Sequence, residues 1–184
     1  MEVIKRNVEN KIIVYNIIRM EEEEEEEETF WYHCGRLVKA IRLYHEDEKI
    51  CEKKISEICI FLHKHCKVGG GKYSNKGRIV GDYLAVDPLY ITSYMDTLNV
   101  FYKKHKHVIN IATLVYYNFI TIHPFSDGNG RVGKTLLFIL SGVIGVTTKK
   151  QHKKLCKELR RLQKTPDMFN CSLNVNNLKS ILIG

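Results

Sequence analysis

At 184 residues the chain is long enough for one domain with a sizeable core and too short for two comfortable ones. Its apolar share of 44% and charged share of 27% are ordinary for a globular protein, and no apolar run reaches the roughly 20 residues of a membrane-spanning helix. The formal net charge is +8, but eight acids are concentrated in the run Glu21 to Glu28, which leaves 13 acidic residues against 29 basic ones elsewhere. So basic a body attracts phosphates or acidic partners, although a solvated lysine-rich surface is the simpler reading.

Residues 1 to 20 alternate apolar with polar and lack the h-region and cleavage site of a secretory signal, so they are expected to form an N-terminal helical segment of a cytoplasmic protein. Six irregularly spaced cysteines without a CxxC pair agree with reduced, mostly buried thiols. The glutamates of residues 21 to 29 repel one another and bury nothing, which predicts an acidic loop. Apolar residues then recur at helical spacing over Phe30, Cys34, Leu37, Val38 and Ile41, and again over Ile55, Ile58, Cys59 and Leu62. Cys59, His63 and Cys66, with His65, could bring metal ligands to one face, but packed thiols account for them more simply than zinc.

Glycines 69, 70, 71, 77 and 81 break the next stretch into short apolar pieces, as in a hairpin or irregular flap over residues 71 to 88. Asp87 and Pro88 supply an N-cap and first-turn proline for a helix ending near Lys103. Its inner face would hold Ile91, Tyr94, Met95, Leu98 and Phe101. From Val108 to Ile122 the residues are largely apolar and too many for a strand, which predicts a buried central helix stopped by Pro124. Tyr116, Tyr117 and Phe119 read as core, and His105 and His107 as solvated loop. Another helix follows through Leu136, Leu137, Ile139, Leu140 and Val143. Residues 149 to 184 are expected to form basic C-terminal helices packed on the core of residues 30 to 148, beginning with an amphipathic one over Lys149 to Lys164.

Between the two buried helices lies HPFSDGNGRVGK, residues 123 to 134. Glycines 128, 130 and 133 let backbone N–H groups approach an anion, and the start of the following helix adds a favourable dipole. Asp127 offers hard oxygen to magnesium, Arg131 and Lys134 project cations, and His123 can accept a proton. The P-loop pattern GxxxxGK[ST] and the dinucleotide pattern GxGxxG also fit this loop. Both require a preceding strand and a parallel sheet, so they rank second and third.

The loop resembles the Fic signature HPFxxGNGRxxR at every fixed position except the last, where Lys134 replaces arginine. The resemblance implies an all-α Fic fold with a short β-hairpin flap, acting as a nucleotidyltransferase that moves AMP from ATP onto a Ser, Thr or Tyr hydroxyl of a target protein. In that reading His123 is the general base, Phe125 anchors the loop, and Asp127 binds Mg2+. Gly128, Asn129, Gly130, Arg131 and Lys134 hold the phosphates. Lys72, Tyr73, Ile79 and Val80 of the flap position the target, although Ser74 stands where many members have arginine. Glu9-Asn10 resembles the end of an N-terminal inhibitory helix, with Glu9 restraining activity through Lys134, and in some relatives such a glutamate also serves AMP removal. A homodimer is compatible with the resemblance, whereas nucleic acid is not expected as a partner. A catalytically weak Fic-like scaffold is the rival reading, and a P-loop hydrolase the more distant one.

Overall fold

The structure is a computed structural model that describes residues 54 to 65, 70 to 141 and 149 to 183. Glu9, the run Glu21 to Glu28, the helix expected over Phe30 to Ile41, Cys66 and Val143 lie outside the described residues. Helices α1 (Ile55–His65), α2 (Ile91–Lys104), α3 (Ile111–Ile122), α4 (Asn129–Ser141), α5 (Lys149–Gln163) and α6 (Asn176–Ile183) carry the fold. The one described sheet is an antiparallel hairpin of β1 (Ile79–Val80) and β2 (Tyr83–Leu84), in register Ile79 with Leu84 and Val80 with Tyr83. The mainly helical architecture with a hairpin flap therefore stands.

Helix α3 is the central helix of the described residues because it is apolar almost all round, and every residue from Thr113 to Ile122 is buried. Helices α2 and α4 turn one face each toward it and α1 packs across α2 and α4, with Ile58, Cys59 and Leu62, then Met95, Leu98 and Phe101, then Val132, Leu136 and Leu137 in the shared core. Burying each such side chain contributes on the order of 1.5–3 kcal/mol. Helix α5 is amphipathic: Leu155, Leu159 and Leu162 face the core while Lys153, Lys154 and Lys157 face solvent. It is fastened to α3 where the Tyr117 hydroxyl donates to the Leu162 carbonyl and the Gln163 amide donates to Thr121 Oγ1 (both 3.3 Å).

Sequence boundaries shift in three places. Asp87 caps the chain as expected, its carboxylate accepting from Leu89 N–H at 2.9 Å, but Pro88–Tyr90 is a 3-10 turn that only then feeds α2. The central helix begins at Ile111 rather than Val108, because residues 105 to 110 are needed to turn the chain and leave Ile109 90% exposed. His105 caps α2 with its ring against Phe101, so of the two histidines only His107 sits in open solvent.

Candidate active site

The end of α3 explains where His123 points. Pro124 forbids another helical turn, and His123 closes the helix in the left-handed conformation at φ 54° and ψ 55°, its N–H bonded to the Phe119 carbonyl at 3.0 Å. Non-glycine residues occupy that region at a cost of about 1–2 kcal/mol, which the surrounding structure must offset. His123 is half-buried, and its Nδ1 is buried without a hydrogen-bond partner. Burial pushes the imidazole below its usual pKa of 6.5 and the Arg78 guanidinium adds to this, against the Ile120 carbonyl and the Asp127 carboxylate. The ring is therefore predominantly neutral at pH 7.

Phe125 turns inward and is fully buried, stacked on His63 with ring centroids 3.9 Å apart and tilted against Tyr73 and Phe119. Asn129 opens α4 with its side chain turned back onto Phe125, accepting from the Phe125 N–H at 2.9 Å and donating to its carbonyl at 2.7 Å. The side-chain amide is thus committed to the loop's shape, and what Asn129 can offer an anion is its backbone N–H. Gly128 adopts φ 76°, a conformation that favours glycine, and its carbonyl accepts from Val132 N–H at 2.9 Å. The N–H groups of residues 129 to 131, at the first turn of α4, have no intrahelical acceptor. A Cβ on Gly130 would meet nothing within 4 Å, so there is open space beside this residue of the first turn.

Gly133 answers to a different constraint. A Cβ there would come within 2.9 Å of Ile120 Cδ1 and 3.2 Å of both Phe119 and Tyr116, so it permits the close crossing of α3 and α4 rather than the approach of an anion. The Asp127 side chain is 71% exposed and accepts from Arg131 Nη2 at 3.3 Å. Among the described residues no three His, Cys, Asp or Glu side chains converge as a metal cage. One hard, exposed carboxylate suits a magnesium ion that takes its other ligands from phosphate and water. Lys134, one turn further along α4, lies near His152 of α5, whose pKa is held down by burial and then by the Lys134 ammonium.

The flap is tied to this loop by Ser74, noted in the sequence only as a departure from the family, and by Arg78, which sequence reasoning passed over. Ser74 is buried, and its N–H donates to the Pro124 carbonyl at 2.8 Å. Its hydroxyl accepts from Arg78 Nε at 3.1 Å, while Arg78 Nη1 donates to the Ser126 carbonyl. A guanidinium thus reaches the loop from position 78, although position 74 lacks one. Lys72 and Ile79 are exposed, Val80 is half-buried, and Tyr73 packs its ring on Phe125 with its hydroxyl buried and unpartnered. Of the flap residues expected to meet a target, Tyr73 is the one turned into the protein.

Residues 49–141 match the Fic/DOC family. The chain belongs to this family. The loop follows a helix rather than a strand, so the setting that P-loop and dinucleotide motifs require is missing from the described residues. Its Fic/DOC relatives include the protein named "Protein adenylyltransferase Fic" of Drosophila willistoni, 32% identical over 74 residues, covering 38% of this chain and 15% of that protein. Proteins of the same name in Culex quinquefasciatus (30% over 93 residues; 47% and 19%) and Aedes aegypti (28% over 119 residues; 60% and 24%) are similar to it too. The chain thus spans between 15% and 24% of the length of these relatives. A Fic-domain-containing signaling protein from Bacteroides thetaiotaomicron shares the Fic/DOC fold, with a TM-score of 0.63 at 17% identity over 82% of this chain and 65% of that one. No described helix is long and apolar enough to cross a membrane.

Proposed function

We propose that this chain transfers AMP from ATP to a Ser, Thr or Tyr hydroxyl of a target protein. The observation that carries the reading is the placement of a mostly neutral, half-buried imidazole at His123 on the short loop that leads into a helix start whose first N–H groups have no intrahelical acceptor. In the reaction the target hydroxyl oxygen bonds to the α-phosphorus and the bond from that phosphorus to the bridging oxygen of pyrophosphate breaks. The hydroxyl proton passes to His123, and pyrophosphate leaves. The N–H groups at residues 129 to 131 and the Arg131 cation stabilise charge developing on the phosphates. Asp127 would hold magnesium, which supplies charge neutralisation to the bound triphosphate.

Lys134 supports a weaker grip than an arginine would, since one ammonium cannot make a two-pronged bond to phosphate. That residue is the observation favouring the rival, a catalytically quiet scaffold of the same fold. Incubation with α-labelled ATP, magnesium and a cytosolic extract separates the two. Label on a protein band that disappears with His123→Ala supports transfer, with a loss of roughly 10²–10⁴-fold expected for a general base. No label from wild type, and none from Glu9→Gly, supports the scaffold. Glu9 enters as a proposed brake acting through Lys134, with AMP removal from the target as its second use. Equal transfer by wild type and Glu9→Gly would remove it from regulation.

A further inference from the structure

His63 lies outside the signature, yet it touches three parts of the site. It projects from α1 and is 1% exposed. Its Nδ1 accepts the Gly71 N–H at 3.2 Å, so the ring proton resides on Nε2, which donates to the Asp127 carbonyl at 3.2 Å. Its face is stacked on Phe125 with an interplanar angle of 6°. Gly71 opens the flap, and its place is narrowly defined: φ is 74°, and a Cβ would come within 2.7 Å of Lys64 Cγ and 3.1 Å of Ile60 Cγ2. Asp127 and Phe125 belong to the loop that faces the phosphates.

We infer that His63 is a positioning residue that couples the entry of the flap to the phosphate side of the signature loop, so that the two respond to nucleotide as one body. The inference rests on the nucleotide-binding reading above and adds to it a link between nucleotide and flap. Packing alone does not need an imidazole here, since a phenyl ring would fill the same space against Phe125. What the imidazole adds is an acceptor on one edge and a donor on the other, facing two segments 56 residues apart in sequence, Gly71 and Asp127.

The two hydrogen bonds can be removed one at a time. In His63→Asn the side-chain oxygen takes the place of Nδ1, keeping the Gly71 bond and losing the Asp127 bond; in His63→Gln the amide nitrogen takes the place of Nε2 and does the reverse. Binding of fluorescent N-methylanthraniloyl-ATP with magnesium, label incorporation from α-labelled ATP, and hydrogen exchange at the Gly71 and Val132 amides are read on all forms, with circular dichroism to confirm folding. In wild type the probe should slow exchange at Gly71 about fivefold. His63→Asn should weaken probe binding, raising KM for ATP more than it lowers kcat. His63→Gln should bind the probe like wild type, lose the Gly71 response, and incorporate less label.

His63→Phe behaving as wild type, or both amide variants keeping the Gly71 response, would overturn the proposal. Nitrogen chemical shifts of the wild-type imidazole decide it without any variant, because an Nδ1–H tautomer is incompatible with the Gly71 bond. Should wild type bind no probe, the nucleotide reading fails by itself. The coupling is then judged on exchange alone: faster exchange at Val132 in His63→Gln supports it, and an unchanged rate there overturns it.

Discussion

The side chain of Asn129 closes both of its hydrogen bonds on the backbone of Phe125, at 2.9 Å and 2.7 Å, within a site where both residues are buried. This pair sets the shape of the loop before any ligand arrives, because it pins the ring of Phe125 inward and the start of α4 outward. Asn129→Ala leaves a buried N–H and a buried carbonyl unsatisfied, at about 1–3 kcal/mol each. Urea unfolding should therefore show a loss of roughly 2 kcal/mol or more. Asn129→Asp keeps the acceptor and sets a carboxylate oxygen against the Phe125 carbonyl, so it should be no better than alanine. A stability unchanged in both variants would mean that the loop does not depend on this pair.

Arg78 links flap and loop and also bears on His123, so its removal should be visible at both. Arg78→Ala frees the Ser126 carbonyl and the Ser74 hydroxyl from their guanidinium partner. Faster amide exchange across residues 74 to 84 is the expected result. Arg78→Gln keeps a donor and should restore most of the protection.

The same guanidinium gives a pH test with a definite sign. Burial is the main cause, and Arg78 a further one, of a His123 pKa below 6.5. The proposed general base is thus mostly deprotonated at pH 7, and kcat/KM for AMP transfer should fall as pH drops through that lowered value. Its acid limb should have a midpoint below 6.5 in wild type and move upward in Arg78→Gln, since a repulsive positive charge is gone. Stability follows the same sign: between 6.5 and the lowered value the unfolded chain binds the proton that the folded ring refuses, so the folded state weakens as pH falls through that window. A wild-type midpoint above 6.5 would contradict both statements.

The sequence made the helices and the loop legible because their signals are local. Spacing of Ile55, Ile58 and Leu62, the largely apolar stretch before Ile122, and the stop at Pro124 each rest on neighbours within one or two turns. The inward turn of Phe125 was likewise available from the resemblance. Arg78 and His63 were not legible, since their partners Ser126 and Asp127 lie 48 and 64 residues away. A lone buried histidine on an apolar face looks the same whether it bridges two loops or fills space. Gly133 misled for a related reason: a glycine inside GxGxxG reads as phosphate contact until the Ile120 side chain is seen across the helix crossing.

Lys134→Arg tests how much the departure from the signature costs. A guanidinium offers two parallel donors to a phosphate where the ammonium offers a single charge. If α4 presents this position to the triphosphate, the substitution should tighten binding of the fluorescent ATP probe by roughly tenfold, the equivalent of about 1.4 kcal/mol. The His152 ring beside it should titrate at still lower or equal pH, because the positive charge is retained. No change in affinity would place residue 134 outside the phosphate site.

Gly130 and Gly133 stand three residues apart on α4 and should respond to alanine in opposite ways. At Gly133 the new methyl meets Ile120 Cδ1 at 2.9 Å and two aromatic rings at 3.2 Å, all fully or nearly buried. Overpacking of that kind costs about 1–3 kcal/mol, which outweighs the helical preference of alanine over glycine, about 1 kcal/mol. The variant should therefore lose stability while the N–H groups at the start of α4 stay where they are. At Gly130 the methyl meets nothing, so stability should hold or rise by up to about 1 kcal/mol. That same methyl sits on the first turn of α4, where the proposed function puts the phosphates, so probe affinity should drop. Thermal unfolding and probe titration on the two variants distinguish packing from ligand approach: a Gly130→Ala protein that binds the probe normally would show that the phosphates do not dock on this turn.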